Sequence, residues 1–289
     1  MRYKRELNPN ALFLLGVLAA ASPLAPSAQR PALLGLDHIP VVVSDLERAG
    51  ATFGGLGFAL KPGRDHANGI RNAHVKFPDG AGIELLTAPK AVDALSTHYV
   101  DLLRAGEGPA FVSFHARDTG RLHTALRDGG YEFRQDGEIT ELRSLEFAYL
   151  FVVRDNRSPT DRPEHFAHAN GAAALSAVWV APENGDALAR LLVHLGGRQH
   201  RRQVLAPDPV EATVVTLGEG EVFILPVRHQ WRAGRPVIGA SFTVPDLARV
   251  RRLLIERQIT PWARTGAAER VVVEPSLAHG MWLEFRKRS

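Results

Sequence analysis

The sequence contains no cysteine. Disulfide bridges, a thiolate nucleophile and thiolate metal ligands are therefore excluded. The chain also lacks a Gly-x-x-x-x-Gly-Lys phosphate loop and a Gly-x-Ser-x-Gly elbow, which argues against a nucleotide enzyme and a serine hydrolase. Gly54, Gly55 and Gly57 follow a predicted helix and do not open one, so they do not form a dinucleotide-binding fingerprint.

Basic residues are only slightly in excess, with a formal net charge of +4 over 289 residues. Much of this excess lies in residues 1–30, where four basic residues face a single glutamate. The runs HRRQ at 200–203 and ARVRRLLIERQ at 248–258 carry no interleaved aromatic residues and are typical of solvated faces. We therefore expect a small-molecule substrate and no nucleic-acid partner, and we allow for a homodimer.

No apolar run is long enough for a comfortable transmembrane helix. The chain begins with the basic segment MRYKRELNPN, followed by the apolar ALFLLGVLAAASPLA and the polar PSAQRP. This order is typical of a secretory signal peptide, although no clean Ala-x-Ala site ends it. Residues 1–30 are thus predicted to be a signal peptide or leader. The mature protein would be periplasmic or secreted without stable membrane insertion, and cytoplasmic if the leader is not a signal.

A repeated pattern of a strand, a helix and three further strands fills the rest of the chain. The copies begin near residues 36, 110, 174 and 237, and in each an apolar strand meets a polar or proline turn before an amphipathic helix. Four copies can pair into two curved, half-open sheets with helices outside. We predict an α+β fold with an N-terminal domain at 35–156, a proline-rich linker at 157–173 and a C-terminal domain at 174–287.

The first copy can be examined face by face. Because side chains alternate along a strand, His38 shares a face with Pro40 and Val42, while the opposite, uniformly apolar face packs under the helix predicted at 46–55. On the closing strand AGIELLTA, Glu84 is placed on the same side as His38.

The opening LDHIPVVVSDLERA…LGF and the closing DGAGIELL resemble the vicinal oxygen chelate (VOC) superfamily. NAHVKFPDGAGIELL together with HANGAAALSAVWV is similar to its bacterial glyoxalase-like domain group. The resemblance is specific in the first copy and only architectural in the other three. It implies a divalent metal ion (Mn, Fe, Ni, Co or Zn) inside the curved sheet, held by a histidine of a first strand and a glutamate of a last strand. His38 and Glu84 fill these two positions.

Further candidates surround this pair. If Pro78, Asp79 and Gly80 form a three-residue hairpin loop with left-handed Gly80, His74 faces Glu84, whereas a two-residue loop would bury it on the helix side. His74 is therefore a candidate base or third ligand. Asn72 shares its face and is a candidate substrate-binding residue. His66 lies in a loop near the mouth, and His168 and Asn170 lie in the linker, which either folds over the first sheet or stays solvated; these three are also candidates for substrate binding.

The other copies match the metal pattern poorly. In the second, Phe111 takes the place of His38 and the position of Glu84 falls near Tyr149 or Leu150, so His115 and Tyr149 are candidate catalytic substitutes. The third copy has Ala177 at the histidine position, and the fourth has Gly239, although Glu284 matches Glu84. We expect the C-terminal half to be a degenerate partner. This disfavours extradiol dioxygenase activity, which in that superfamily uses the later two modules.

Two functions stay open at this point. One is a metal-dependent enzyme of lyase, isomerase or ring-cleaving type that acts on a small oxygen-chelating molecule. The other is a metal-free binding protein that sequesters a small hydrophobic ligand.

Overall fold

The computed structural model describes residues 31–154, 157–262 and 269–287. The described residues, from Pro31 onward, cluster as one compact unit. Among the described residues, no helix combines the length and apolar character needed to cross a membrane. The predicted signal peptide at 1–30 lies outside the described residues.

The N-terminal half contains two copies of the repeat, and the predicted α+β class is confirmed. The elements of the first are β1 (Gly35–Leu36), β2 (His38–Val42), α1 (Leu46–Gly55), β3 (Lys61–Asp65), β4 (Arg71–Lys76), β5 (Gly82–Thr87) and α2 (Ala94–Ala105). Those of the second are β6 (Gly108–Pro109), β7 (Val112–His115), α3 (Thr119–Asp128), β8 (Phe133–Asp136), β9 (Ile139–Leu142) and β10 (Leu150–Val153).

The C-terminal half repeats the same order. Its third copy comprises β11 (Ala174–Val180), α4 (Gly185–His194), β12 (Arg198–Val204), β13 (Val210–Thr216) and β14 (Glu221–Ile224). The fourth comprises β15 (Val237–Val244), α5 (Leu247–Glu256), β16 (Arg270–Val273) and β17 (Trp282–Lys287). Residues 263–268, between α5 and β16, are outside the described part.

The turn after each opening strand starts a helix because its polar residue caps the helix. The side chains of Asp45, Asp118, Asn184 and Asp246 each accept a hydrogen bond from a backbone amide in the first turn of α1, α3, α4 and α5. Such a cap satisfies an amide that has no partner within the helix and contributes about 1 kcal/mol. The repeated polar turns of the sequence are therefore helix N-caps.

The described strands form three sheets, with strand orders β3-β4-β5-β2-β6, β1-β7-β10-β9-β8 and β12-β13-β14-β11-β15-β17-β16. In the C-terminal half, β11 and β15 pair and join two modules in one sheet. In the N-terminal half, β1 pairs with β7 and β6 with β2 in one shared antiparallel register. Pro40 accepts a hydrogen bond from the Ala110 amide in this register but has no amide hydrogen to donate in return, so the ladder is interrupted and two sheets are formed.

The helices cover one face of the sheets, as the alternation predicts. Ile39, Val41 and Val43 are fully buried and belong to the main hydrophobic cluster together with Ala49 and Phe53 of α1. The opposite faces of the first module's strands therefore line a separate space. His38, Asn72, His74 and Glu84 all line it.

The linker folds over this open face. We call residues 157–166 the strap. Asp161 of the strap contacts the ammonium groups of Lys61 at 2.5 Å and Lys76 at 3.8 Å, and the Ser158 amide donates to the same carboxylate. All three charged side chains are at most 12% exposed, so this ion cluster is a buried anchor. The predicted alternative in which the linker covers the first sheet is thus the one observed.

Residues 168–172 attach the linker to the back of the first module. His168 Nδ1 accepts from the Ala59 amide at 2.9 Å, and Nε2 donates to the carbonyl of Lys76 at 3.0 Å. Asn170 is fully buried and donates to the Leu56 carbonyl. The expectation that His168 and Asn170 bind substrate is therefore corrected, because their polar atoms are used by the backbone.

The close approach of this segment explains a glycine. Gly57 has φ +86°, and a Cβ there would lie 2.8 Å from the Asn170 amide nitrogen. A residue with a side chain would be strained by its conformation and would push the linker away. Glycine is therefore required in the LGF sequence that follows α1, because the linker docks at this position.

We predict that His168→Ala lowers the free energy of unfolding by about 2–4 kcal/mol, because two buried backbone groups lose their partner. Urea denaturation measures this change. The matched variant His200→Ala removes an exposed histidine and should change stability by less than about 0.5 kcal/mol. Equal stabilities for the two variants would contradict the anchoring role.

Candidate functional site in the first module

A cavity of about 810 Å³ lies between the open face of the first module and the strap. One wall carries His38, Asn72, His74 and Glu84, and the strap contributes Ser158, Thr160, Arg162 and His165. Its volume suits a small organic molecule. With His66, five of the residues predicted from the sequence thus line one cavity.

His38 is fixed from behind by an acidic neighbour. Its Nδ1 is hydrogen-bonded to the carboxylate of Asp37, which is buried. Phe151 of β10 packs edge-on against the imidazole, with ring centroids 5.5 Å apart. Nε2 is thereby directed toward Glu84, whose Oε2 lies 3.5 Å away. The expectation that the two side chains point to the same side of the sheet is confirmed.

Glu84 is held by an amide. Asn72 Nδ2 donates to Glu84 Oε1 at 2.6 Å, and Asn72 Oδ1 accepts from the Arg64 amide at 3.0 Å. A Cβ at Gly63 would lie 2.0 Å from Asn72 Oδ1, so only glycine fits there. Asn72 is therefore a positioning residue for Glu84, a role different from the predicted contact with a substrate oxygen.

His74 lies directly opposite Glu84 across β4 and β5. The hairpin loop has Gly80 at φ +96°, and the Phe77 amide donates to the Ala81 carbonyl. The three-residue loop is therefore confirmed, and with it the register that brings His74 to the cavity. On its other side, His74 pairs with Lys61 of β3.

The three titratable groups at the centre have displaced pKa values. Burial disfavours the charged form of His38, but hydrogen bonds to Asp37 and Glu84 outweigh it and raise the pKa of His38 to about 9. Burial also opposes ionisation of Glu84, yet the bond and charge of His38 lower the pKa of Glu84 to about 2. Burial and nearby cations lower the pKa of His74 to about 4 despite Glu84. His74 is thus a neutral imidazole beside an ion pair.

The second module closes this site with aromatic rings. In the first module Glu84 of β5 lies opposite Pro40 of β2, and in the second module Phe151 of β10 lies opposite Ser113 of β7. Ser113 is the equivalent of Pro40, so Phe151 is the equivalent of Glu84. The predicted counterparts Tyr149 and Leu150 are therefore corrected by one or two residues. Phe111 replaces His38 and contacts Phe151, with centroids 6.1 Å apart.

Two predicted catalytic residues lie elsewhere. His115 Nε2 bonds to Glu219 of the C-terminal half at 3.0 Å, and His115 is not among the residues lining the cavity. Tyr149 is buried in the main core, its hydroxyl has no hydrogen-bond partner among the described residues, and it does not line the cavity. We correct both expectations: β7 and β10 direct these side chains to other contacts.

The open face of the C-terminal sheet is filled. Trp179, Phe223 and Trp282 pack there in one apolar cluster. Glu284 matches Glu84 in register, as predicted, but is bound by Arg270 Nη1 at 2.9 Å and by the Ser241 hydroxyl at 2.7 Å. This carboxylate is neutralised within the protein, and its side-chain partners among the described residues are Arg270 and Ser241.

Sequence reasoning missed the cations of the cavity. Lys61, Arg64, Lys76 and Arg162 all line it. Lys76 was detectable, because it is two residues from His74 on the same strand and therefore shares its face. The strap residues gave no such signal, since their placement depends on the Asp161 anchor. His66 does line the cavity, as predicted.

The central pair fits part of a metal site. Two donors that share a cation at bond lengths of roughly 2.1 Å are themselves roughly 3.4 Å apart in tetrahedral geometry, close to the 3.5 Å between His38 Nε2 and Glu84 Oε2. The Asp37 and Asn72 contacts are those that orient metal ligands from behind. No group of three or more His, Asp or Glu side chains suited to a metal is found within the described residues. The pair thus offers two ligands and leaves the other positions to water or substrate.

Residues 36–196 match the family model described as a glyoxalase-like domain. No curated protein matches the chain. These 161 residues include the cavity and the strap, so the match covers more than half of the chain and all of the candidate site.

Solved structures share the fold at low identity. A hypothetical protein from Staphylococcus aureus is 14% identical, with 88% of this chain and 99% of that chain covered and a TM-score of 0.55. A variant of 4-hydroxymandelate synthase from Streptomyces coelicolor is 16% identical, with 90% of this chain and 93% of that chain covered and a TM-score of 0.65. A substrate complex of homoprotocatechuate 2,3-dioxygenase from Brevibacterium fuscum is 12% identical, with 91% of this chain and 83% of that chain covered and a TM-score of 0.60.

We predict that Gly63→Ala lowers the free energy of unfolding by about 1–3 kcal/mol, because the added methyl group displaces Asn72. Gly54→Ala is the matched control, since nothing lies within 4 Å of a Cβ there and the residue is helical. That control should be neutral or stabilising by up to about 1 kcal/mol. Denaturation curves that show no loss for Gly63→Ala would contradict the tight Asn72 contact.

Proposed function

Because the chain belongs to the glyoxalase-like domain family of the vicinal oxygen chelate superfamily, we propose that it is a metal-dependent enzyme acting on a small oxygen-chelating molecule. The observation that carries this proposal is the approach of His38 Nε2 to Glu84 Oε2 at 3.5 Å, with each side chain held by a further group. At the matching position of the C-terminal sheet, Glu284 is bound by Arg270 instead of facing a histidine.

His38 and Glu84 are the proposed ligands of a divalent ion. Such an ion would act as a Lewis acid on adjacent oxygens of the substrate. Asp37 fixes the imidazole so that Nε2 faces the cavity, and Asn72 fixes the carboxylate. The rings of Phe111 and Phe151 exclude water from the side of the second module.

His74 is the proposed base. No hydrogen-bond partner of its imidazole is found in the described residues, and the ring lines the cavity across from Glu84. A nitrogen in this place can take a proton from one substrate atom and return it to another. A base in this place favours isomerase or lyase chemistry over ring cleavage. The strap would cover the bound substrate.

The alternative, metal-free sequestration of a hydrophobic ligand, receives less support. Four cationic residues and four histidines line the cavity. A purely apolar ligand would displace water from these groups without forming hydrogen bonds to them, which costs free energy. The apolar surface that such a ligand needs is used in packing, both in the aromatic contacts of the second module and in the filled C-terminal sheet.

We predict that metal-stripped protein takes up about one equivalent of Mn²⁺ or Co²⁺ in calorimetric titrations. His38→Ala and Glu84→Gln should each weaken the affinity at least tenfold, because a ligand is removed from a site with only two protein donors. Glu141→Gln is the control, since that glutamate is paired with Arg134 on another strand pair. Circular dichroism verifies that the variants are folded.

Uptake that is equal in wild type, His38→Ala and Glu84→Gln would overturn the ligand assignment. No uptake of any divalent ion by the wild type would overturn the metal-dependent function. In that case the ion pair of His38 and Glu84 would be the resting arrangement of the site.

The leader is proposed to direct export. Mass spectrometry of the protein recovered from the producing cell should then show a chain that begins after the leader. An intact Met1 on exported material would contradict cleavage.

A further inference from the structure

The cavity carries more positive than negative charge. Its lining includes two lysines and two arginines but a single carboxylate, Glu84. Asp37, Asp161 and Glu164 each contact a lining residue without lining the cavity themselves, so the lining, histidines aside, carries four cations and one anion. A cavity of this sign attracts an anionic ligand and concentrates it.

The two lysines are already compensated. Lys61 and Lys76 both contact Asp161, and Lys76 also donates to the Gly80 carbonyl at 3.0 Å. Their role is to anchor the strap. An anion that enters the cavity is therefore expected to bind to cationic groups other than these two lysines.

Neither arginine has a buried carboxylate partner among the described residues. The Arg64 guanidinium forms no ion pair within the described residues, and only its backbone amide is engaged, by Asn72. The Arg162 guanidinium has Glu164 Oε1 at 3.9 Å, with both side chains more than 60% exposed. An exposed pair at that distance contributes almost nothing. Arg64 comes from β3 and Arg162 from the strap, so the two reach the cavity from different walls.

A third group points to a ligand independently. The Nε2 atom of His66 is buried and has no hydrogen-bond partner within the described part of the chain, although His66 lines the same cavity. Leaving a buried polar atom unsatisfied costs about 1–3 kcal/mol. A ligand oxygen beside it would supply the missing hydrogen bond.

We propose that the substrate carries a carboxylate or phosphate group that is bound by Arg64, Arg162 and His66 at the mouth of the cavity. The inference rests on the proposed function, because it assumes that the oxygen-bearing end of the same molecule reaches His38 and Glu84. Guanidinium groups match the planar, two-oxygen geometry of these anions. His38 and Glu84 are largely buried while Arg64 and Arg162 are exposed, so the anionic end lies outward.

This anion site is coupled to the centre through β3. The amide of Arg64 donates to Asn72, and Asn72 holds Glu84. A substrate whose charged end orders Arg64 therefore also orders the strand that positions the proposed ligand. Neutral analogues that lack the charged group should bind more weakly.

The test is equilibrium dialysis of the full, metal-stripped protein against radiolabelled inorganic phosphate and, separately, acetate. We expect about one phosphate or acetate per chain at saturation. Arg64→Gln and Arg162→Gln should each weaken this binding about fivefold or more, and His66→Ala should weaken it as well. Arg71→Gln is the matched control, because Arg71 is an exposed arginine of the same sheet that does not line the cavity.

Comparing the two probes identifies the preferred anion class. Binding that is unchanged in Arg64→Gln and Arg162→Gln, or equally weakened in Arg71→Gln, would overturn the proposal, as would the absence of binding in the wild type. The metal titration is a separate readout: these three arginine variants should take up metal as the wild type does. Failure of the anion site is thereby distinguished from failure of the metal site.

Discussion

The approach of one imidazole to one carboxylate across two neighbouring strands organises the candidate site. β2 and β5 are parallel, and their register places His38 beside Gly82 and Pro40 beside Glu84. The diagonal contact at 3.5 Å is therefore set by the sheet and not by a loop. Asp37 and Asn72 then remove the remaining freedom of the two side chains. A rigid strand pair of this kind can hold two ligands without rearrangement when an ion binds.

The other three modules support this one. The second supplies Phe151 and Phe111 where the first has its glutamate and histidine, and so contributes apolar walls in place of ligands. The C-terminal pair fills its open face with tryptophan and neutralises Glu284. The same fold thus forms the candidate site once and serves otherwise as packing, which agrees with the general rule that function is placed on a fold by individual residues.

Much of this arrangement could be predicted from the sequence because it depends on local rules. Alternation along β2 and β5 placed His38 and Glu84 on one face, and the Pro-Asp-Gly turn fixed the register of His74. Contacts between distant segments were beyond such rules. His168 resembled a substrate ligand until the structure showed its ring between two backbone groups, and His115 is drawn away by Glu219 of the other half. The cations of the strap enter the cavity only because Asp161 is buried between two lysines.

The most direct measurement is anomalous diffraction from crystals of the protein soaked with Mn²⁺ or Co²⁺. The account predicts one strong peak between His38 Nε2 and Glu84 Oε2, at bond lengths of roughly 2.0–2.3 Å, with the remaining positions taken by water or added ligand. Density that shows the two groups hydrogen-bonded to each other, with the metal elsewhere or absent at saturating concentration, would contradict it.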